Sequence, residues 1–197
     1  MKFNKYTYII CGTALMTWGC SQEIFEPQPR TDENPGEVFE PSAGSADFTK
    51  FVAVGNSLTA GFQSGALFDE GQANSLPAIL AESFEEIGMT DDFDQPDIDS
   101  ENGFNSSFSN LGAGVIAGRL ILTLPGPSIT ALPGELPTAF AGEKEDLNNF
   151  GVPGILLGQA LIPDTGTPGN PLENALYTRF ASAPGTSTII GDAATAN

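Results

Sequence analysis

Ser57 is the side chain of this sequence whose type and position best suit covalent chemistry. It follows the apolar run 51–54 and the turn made by Gly55 and Asn56. Aromatic and β-branched residues ahead of such a turn predict a buried strand, with Ser57 at its carboxyl end. Ligands of open α/β sheets bind at that edge, so the serine hydroxyl is predicted to face bound molecules.

The sequence offers Ser57 no histidine as a base. A serine hydroxyl is a weak nucleophile, and it normally needs a neighbouring base to take its proton. Histidine usually has this role, and none of the 197 residues is a histidine. We therefore expect this chain by itself to be inactive, even if Ser57 is the nucleophile of a larger protein.

The segment around Ser57 resembles the first block of the SGNH (GDSL-type) hydrolases, Gly-Asp-Ser-Leu-x-x-Gly. Its positions are filled here by Gly55, Asn56, Ser57, Leu58 and Gly61. In that family the serine attacks an ester carbonyl, which is the role that the resemblance implies for Ser57. Asn56 replaces the family's aspartate; it keeps a side-chain acceptor for nearby backbone N–H groups but carries no charge.

A second segment, 147–154, resembles the family's second block, Asn-x-x-x-x-Gly, with Asn149 and Gly154 at the defining positions. A glycine there lets a backbone N–H approach the oxygen that becomes negative as the serine attacks. The resemblance thus implies an oxyanion hole made by the amides of Ser57 and Gly154, with Asn149 in support. Gly151 is an alternative donor with a less suitable spacing.

The family's later blocks, Gly-x-Asn-Asp and Asp-x-x-His, do not occur in the sequence. We therefore expect the chain to be the N-terminal portion of a longer hydrolase, and the alternative is a complete protein that has lost catalysis. The resemblance implies an α/β fold, a flavodoxin-like three-layer sheet over 47–197 that is incomplete at its carboxyl terminus. A loop-rich insertion is expected over about 86–146.

Two helices are predicted to flank the sheet that contains the strand before Ser57, and one hairpin is predicted in the insertion. The first helix spans 76–84, with Ser75 as N-cap, and its apolar face is expected to pack on that strand; the face comprises Leu76, Ile79, Leu80 and Phe84. The second helix spans 172–180, with an apolar side made of Leu172, Leu176 and Phe180. Within the insertion, 119–124 and 129–132 predict a hairpin, because a Pro-Gly-Pro turn separates them.

The first residues of the chain resemble a bacterial lipoprotein signal. Lys2 and Lys5 precede a short apolar stretch, 8–18, and Gly19 stands before Cys20. We expect cleavage after residue 19, a lipid on Cys20, and an extracytoplasmic protein anchored to a bacterial membrane, with Ser21 favouring the outer membrane. The acidic, proline-rich segment 20–46 is interpreted as a flexible tether.

Acidic residues outnumber basic ones by 25 to 7, for a net charge of −18. Such a charge repels phosphate backbones and anionic headgroups, so no nucleic-acid partner is expected and membrane attachment should depend on the lipid. Carboxylates are densest over 91–101, where alternating oxygens could hold calcium. Their spacing does not fit an EF-hand, so a solvated acidic loop is favoured; neither a metal nor a cofactor is predicted.

Two functions remain open at this point. One is a lipid-anchored esterase or acyl hydrolase that acts on a small-molecule ester or an acylated glycan through Ser57. The other is a non-catalytic surface lipoprotein that binds an acyl or glycan ligand in the same cleft. The missing histidine favours the second for this chain alone, whereas Ser57 and Gly154 together favour the first for a longer protein.

Overall fold

A computed structural model describes residues 41–89, 92–105 and 114–196. The predicted signal, Cys20 and most of the predicted tether lie outside these residues. The described part is mixed α/β, as predicted at the level of fold class, and none of its helices is long and apolar enough to cross a membrane. Its strands are β1 Ala53–Gly55, β2 Ala117–Thr123, β3 Ser128–Pro133 and β4 Asn149–Gly151. Its α-helices are α1 Ser57–Ala60, α2 Asp69–Ala73, α3 Leu76–Glu85, α4 Ala175–Thr178 and α5 Ile189–Thr195, and 3-10 turns cover Gln159–Leu161 and Pro163–Gly166.

The two segments predicted to carry chemistry contain neighbouring strands of one sheet. β1 and β4 pair in parallel, with Ala53 opposite Asn149 and Gly55 opposite Gly151. β4 is buried at all three positions and packs against the main apolar core, which includes Tyr177 and Phe180. Because the strands run in the same direction, the residues that follow them emerge at the same edge of the sheet.

The predicted hairpin is confirmed. β2 and β3 form a separate antiparallel sheet with Leu122 opposite Ile129. Both side chains are largely exposed, at 64% and 72%. The base of the hairpin contacts the loop after α1, since Leu120 donates its amide to the carbonyl of Ser64 at 2.6 Å.

The start of α3 was predicted correctly, whereas its buried face was not. Ser75 is the N-cap, and its hydroxyl accepts from the amide of Ala78 at 3.2 Å. The predicted face is mostly exposed: Leu76 at 44%, Ile79 at 51% and Leu80 at 36%. The helix instead buries Pro77 and Ala81, while Phe84 contacts Phe48 and Phe51 through ring packing. α3 contacts α1, the short helix that begins at Ser57. Close packing between two helices favours small residues such as Ala81 over leucines.

The second predicted helix is real but shorter than predicted. α4 starts after Asn174, whose side-chain oxygen accepts from the amide of Leu176 at 3.0 Å. Leu172 therefore lies before the helix and is 44% exposed. The remainder of the predicted apolar side, Leu176 and Phe180, is buried.

The acidic loop is held to the fold by Arg179. This buried guanidinium donates to the backbone carbonyls of Pro96, Asp97 and Thr138. Burial lowers the pKa of Arg179, while burial and the nearby carboxylates of Asp99 and Asp69 raise the pKa of Asp97.

Across the described residues, no group of three or more Asp, Glu or Cys side chains is arranged to hold a metal ion.

Candidate functional site

Ser57 is the first residue of α1, directly beyond the end of β1, and is half-buried. Its hydroxyl has no hydrogen-bond partner in the described structure. Every buried side-chain N or O atom of the described residues has a partner, so this unpaired hydroxyl reaches solvent. An approaching ligand can therefore contact the Ser57 oxygen without displacing a protein group.

Asn56 does not make the backbone contact that its side chain could provide. It is the N-cap of α1, but its side chain forms no capping hydrogen bond and the residue is exposed. The turn is shaped by glycine instead, because a Cβ on Gly55 would lie 2.1 Å from Oγ1 of Thr59. The asparagine lines a small cavity described below.

Gly154 lies beyond the end of β4, at the same edge of the sheet as Ser57, and is exposed. Its φ is +75°, a left-handed conformation that disfavours other residues. Nothing in the described protein lies within 4 Å of an added Cβ, so backbone conformation rather than close packing calls for glycine here. No described residue accepts a hydrogen bond from its amide, which remains free to meet a ligand oxygen.

The alternative donor, Gly151, is already engaged. Its amide donates to Oδ1 of Asn149 at 2.9 Å. A Cβ on Gly151 would lie 2.3 Å from the amide nitrogen of Ala60, so this glycine is needed for the close approach of α1 to β4. The close packing of α1 on β4 therefore requires a glycine at position 151. The backbone N–H that has no protein acceptor is that of Gly154.

Asn149 joins the two halves of the site. This residue is only 2% exposed, and its Nδ2 donates to the carbonyl of Thr59 at 2.9 Å and to Oε1 of Gln95 at 3.3 Å. Its Oδ1 accepts from Gly151. One side chain therefore fixes β4, α1 and the acidic loop together, and it positions the helix that begins with Ser57.

The two glycines of β4 and its following turn provide a matched stability test. Gly151→Ala is expected to lower the free energy of unfolding by about 3 kcal/mol, because backbone atoms of α1 must move. Gly154→Ala should cost only about 1 kcal/mol, since it adds left-handed strain without a clash. Urea unfolding of both variants checks this order, and equal midpoints would refute the close contact between α1 and β4.

Two cavities flank this edge of the sheet. One, of about 210 Å³, is lined by Asn56 and by apolar residues of β1, α5 and the loop after β4. The other, of about 330 Å³, is lined by Gly154, Pro153, Phe104, Glu173, Asn174, Ala175 and Leu176. Ser57 lines neither, although its chain neighbour Asn56 lines the first. The structure thus brings Ser57 and Gly154 to one edge without enclosing them in a single described cavity.

Sequence reasoning missed two contributions to the site. Asn148 accepts from the amide of Asp94 at 2.8 Å and donates to the carbonyl of Phe51 at 3.0 Å, which anchors the start of β1. Ile189 and Ile190, from the last helix, form part of the smaller cavity. The adjacent asparagines Asn148 and Asn149 could have indicated buried hydrogen bonds from the sequence. No local sequence pattern predicts that α5 lies beside the segment around Asn56.

No family model, curated protein or solved structure matches the chain. The chemistry open to this edge therefore follows from the residues themselves. A solvent-accessible hydroxyl, a free backbone donor and an apolar cavity are the parts that acyl transfer requires, apart from a base.

Proposed function

We propose that the protein is an SGNH-type ester or acyl hydrolase in which Ser57 is the nucleophile. The observation that carries the proposal is the parallel pairing of β1 and β4, after which an unpaired serine hydroxyl and an unpaired Gly154 amide follow at one edge. Once a base takes its proton, a hydroxyl that no protein group occupies can attack a carbonyl, and an amide without a protein acceptor can bind the resulting oxyanion. Asn149 is the positioning residue for Ser57, since its side chain binds α1 at Thr59 and the end of β4 at Gly151.

The proposed reaction needs a proton acceptor that the 197 residues do not provide as histidine. The proposal therefore requires a base from outside these 197 residues. The base would take the proton of the Ser57 hydroxyl as its oxygen bonds to the acyl carbon, and return it to the leaving alcohol. Water would then release the acid from the acyl-serine by the same two proton transfers.

The flavodoxin-like form of the sheet and anchoring through a lipid on Cys20 belong to this proposal.

The second candidate is a non-catalytic lipoprotein that binds an acyl ligand at the same edge. The apolar lining of the 210 Å³ cavity favours it, because that lining would bind a hydrocarbon whether or not Ser57 reacts. The two candidates differ only in the fate of the Ser57 oxygen. Covalent chemistry at this atom therefore separates them.

The test is covalent labelling with a fluorophosphonate ester, followed by peptide mass spectrometry. A longer form of the protein that supplies the base should carry the phosphonyl adduct on Ser57, and short acyl esters should compete with labelling. The 197-residue chain should react far more slowly, since no histidine is present to take the proton. No adduct in the longer form would refute the hydrolase, and equal labelling of both forms would refute the assigned base.

A further inference from the structure

The smaller of the two cavities at this edge is apolar on almost every side. Its walls are formed by Val54, Gly55, Asn56, Ile155, Leu157, Ala160, Ile189 and Ile190. Asn56 supplies the one polar side chain, and none of these residues is ionisable. Such a cavity offers few hydrogen bonds to a sugar ring, whereas every methylene that enters it leaves water.

Three of these apolar side chains are exposed in the absence of a ligand. Val54 is 43%, Leu157 is 83% and Ile190 is 38% exposed, while Ile189 is buried. A hydrocarbon that enters the cavity would cover part of this apolar surface, and the hydrophobic effect would then favour binding. The exposed side chains thus form the part of the wall that a ligand can still bury.

The cavity adjoins the proposed reaction centre at Asn56, which lines it and directly precedes Ser57 in the chain. Acyl binding there requires that a chain attached to a carbonyl at the Ser57 hydroxyl pass Asn56 to enter the cavity. The 330 Å³ cavity suits a hydrocarbon less well, because Glu173 and Asn174 line it. Covering a carboxylate with methylenes costs free energy that the apolar cavity does not require.

We infer that the 210 Å³ cavity binds the acyl chain of the substrate, and that Leu157 and Ile190 limit its length. This inference rests on the proposed function of Ser57. The volume lies below the roughly 300–1,000 Å³ of pockets for drug-sized ligands, so the chain is short, in the range from butyryl to hexanoyl. Longer acyl chains have to leave the cavity and return to water.

The test uses neutral N-methyl amides of butyric, hexanoic, octanoic and dodecanoic acid, which the acidic protein does not repel and does not hydrolyse. Calorimetry with the 197-residue chain should show affinity that rises about fourfold per methylene up to hexanoyl and then levels off. Leu157→Trp and Ile190→Trp should each weaken hexanoyl binding by roughly tenfold. Leu157 is so exposed that its variant should fold even if the Ile190 variant does not.

Leu161→Trp is the matched control, since Leu161 is also an exposed leucine, at 60%, but does not line the cavity. It should leave the chain-length profile unchanged. A profile that is flat, or that Leu157→Trp does not alter, overturns the inference even if Ser57 is labelled. A profile as expected in a longer form whose Ser57 is inert supports acyl binding here and refutes the hydrolase.

Discussion

Ser57→Ala is expected to abolish ester hydrolysis in a form of the protein that supplies the base. Without the hydroxyl oxygen no acyl-serine can form, so kcat should fall by about 10⁴-fold or more, as when a serine hydrolase loses its nucleophile. KM should change little, because the apolar cavity beside Asn56 is untouched. Steady-state hydrolysis of p-nitrophenyl butyrate measures both constants.

Ser128→Ala is the control for this prediction. Ser128 is an exposed serine at the start of β3, in the separate hairpin sheet, and its loss should leave kcat within a factor of about two. If Ser57→Ala keeps activity within about tenfold of the unsubstituted protein, another residue is the nucleophile. The edge formed by β1 and β4 would then bind a ligand without catalysing its hydrolysis.

Arg179→Met is expected to give the largest loss of stability among single substitutions in the acidic loop and its contacts. Three backbone carbonyls, those of Pro96, Asp97 and Thr138, lose the donor that they share. Arg179 is only 6% exposed, so water cannot fully replace its hydrogen bonds. The carbonyl of Pro96 keeps a second donor, Nε2 of Gln72, at 3.1 Å. With about 1.5 kcal/mol for each of the three hydrogen bonds from the charged guanidinium, the free energy of unfolding should fall by about 3–5 kcal/mol.

Arg119→Met provides the comparison in urea unfolding. Arg119 has a side chain that is 27% exposed, lies 3.9 Å from the exposed carboxylate of Glu101, and also contacts Asn102 and the ring of Phe68. Because these contacts are long or exposed to solvent, its loss should cost only about 1–2 kcal/mol. Arg179→Lys should fall between the two, since a lysine keeps the charge but cannot reach three carbonyls with one rigid group. Equal midpoints for the two methionine variants would show that Arg179 does not hold the loop.

Local signals predicted the features that depend on a few adjacent residues. The run 51–54 and the turn after it predicted a strand that ends before Ser57, and the Pro-Gly-Pro turn predicted the hairpin of β2 and β3. Ser75 predicted the start of α3 by its capping geometry. In each case neighbouring residues determine the backbone conformation, so no distant contact needs to be known.

The failed predictions depend on contacts between distant segments. Leu76, Ile79 and Leu80 have the spacing of a buried face, yet the surface that α3 packs on accommodates Pro77 and Ala81. Periodicity identifies a helix and an apolar side but cannot show which side has a partner. The apolar cavity was missed for the same reason, because its walls come from segments far apart in the chain.

The pairing of β1 with β4 also sets an order for synthesis. Asn148 holds the carbonyl of Phe51 across 97 positions, and the partner strand of β1 begins only at Asn149. During translation the apolar run 51–54 therefore emerges long before the strand that covers it. Contacts of such separation slow folding and leave apolar chain exposed in the interval. The segment that carries Ser57 should thus be the part of this domain that most needs chaperone protection on its way to the folded state.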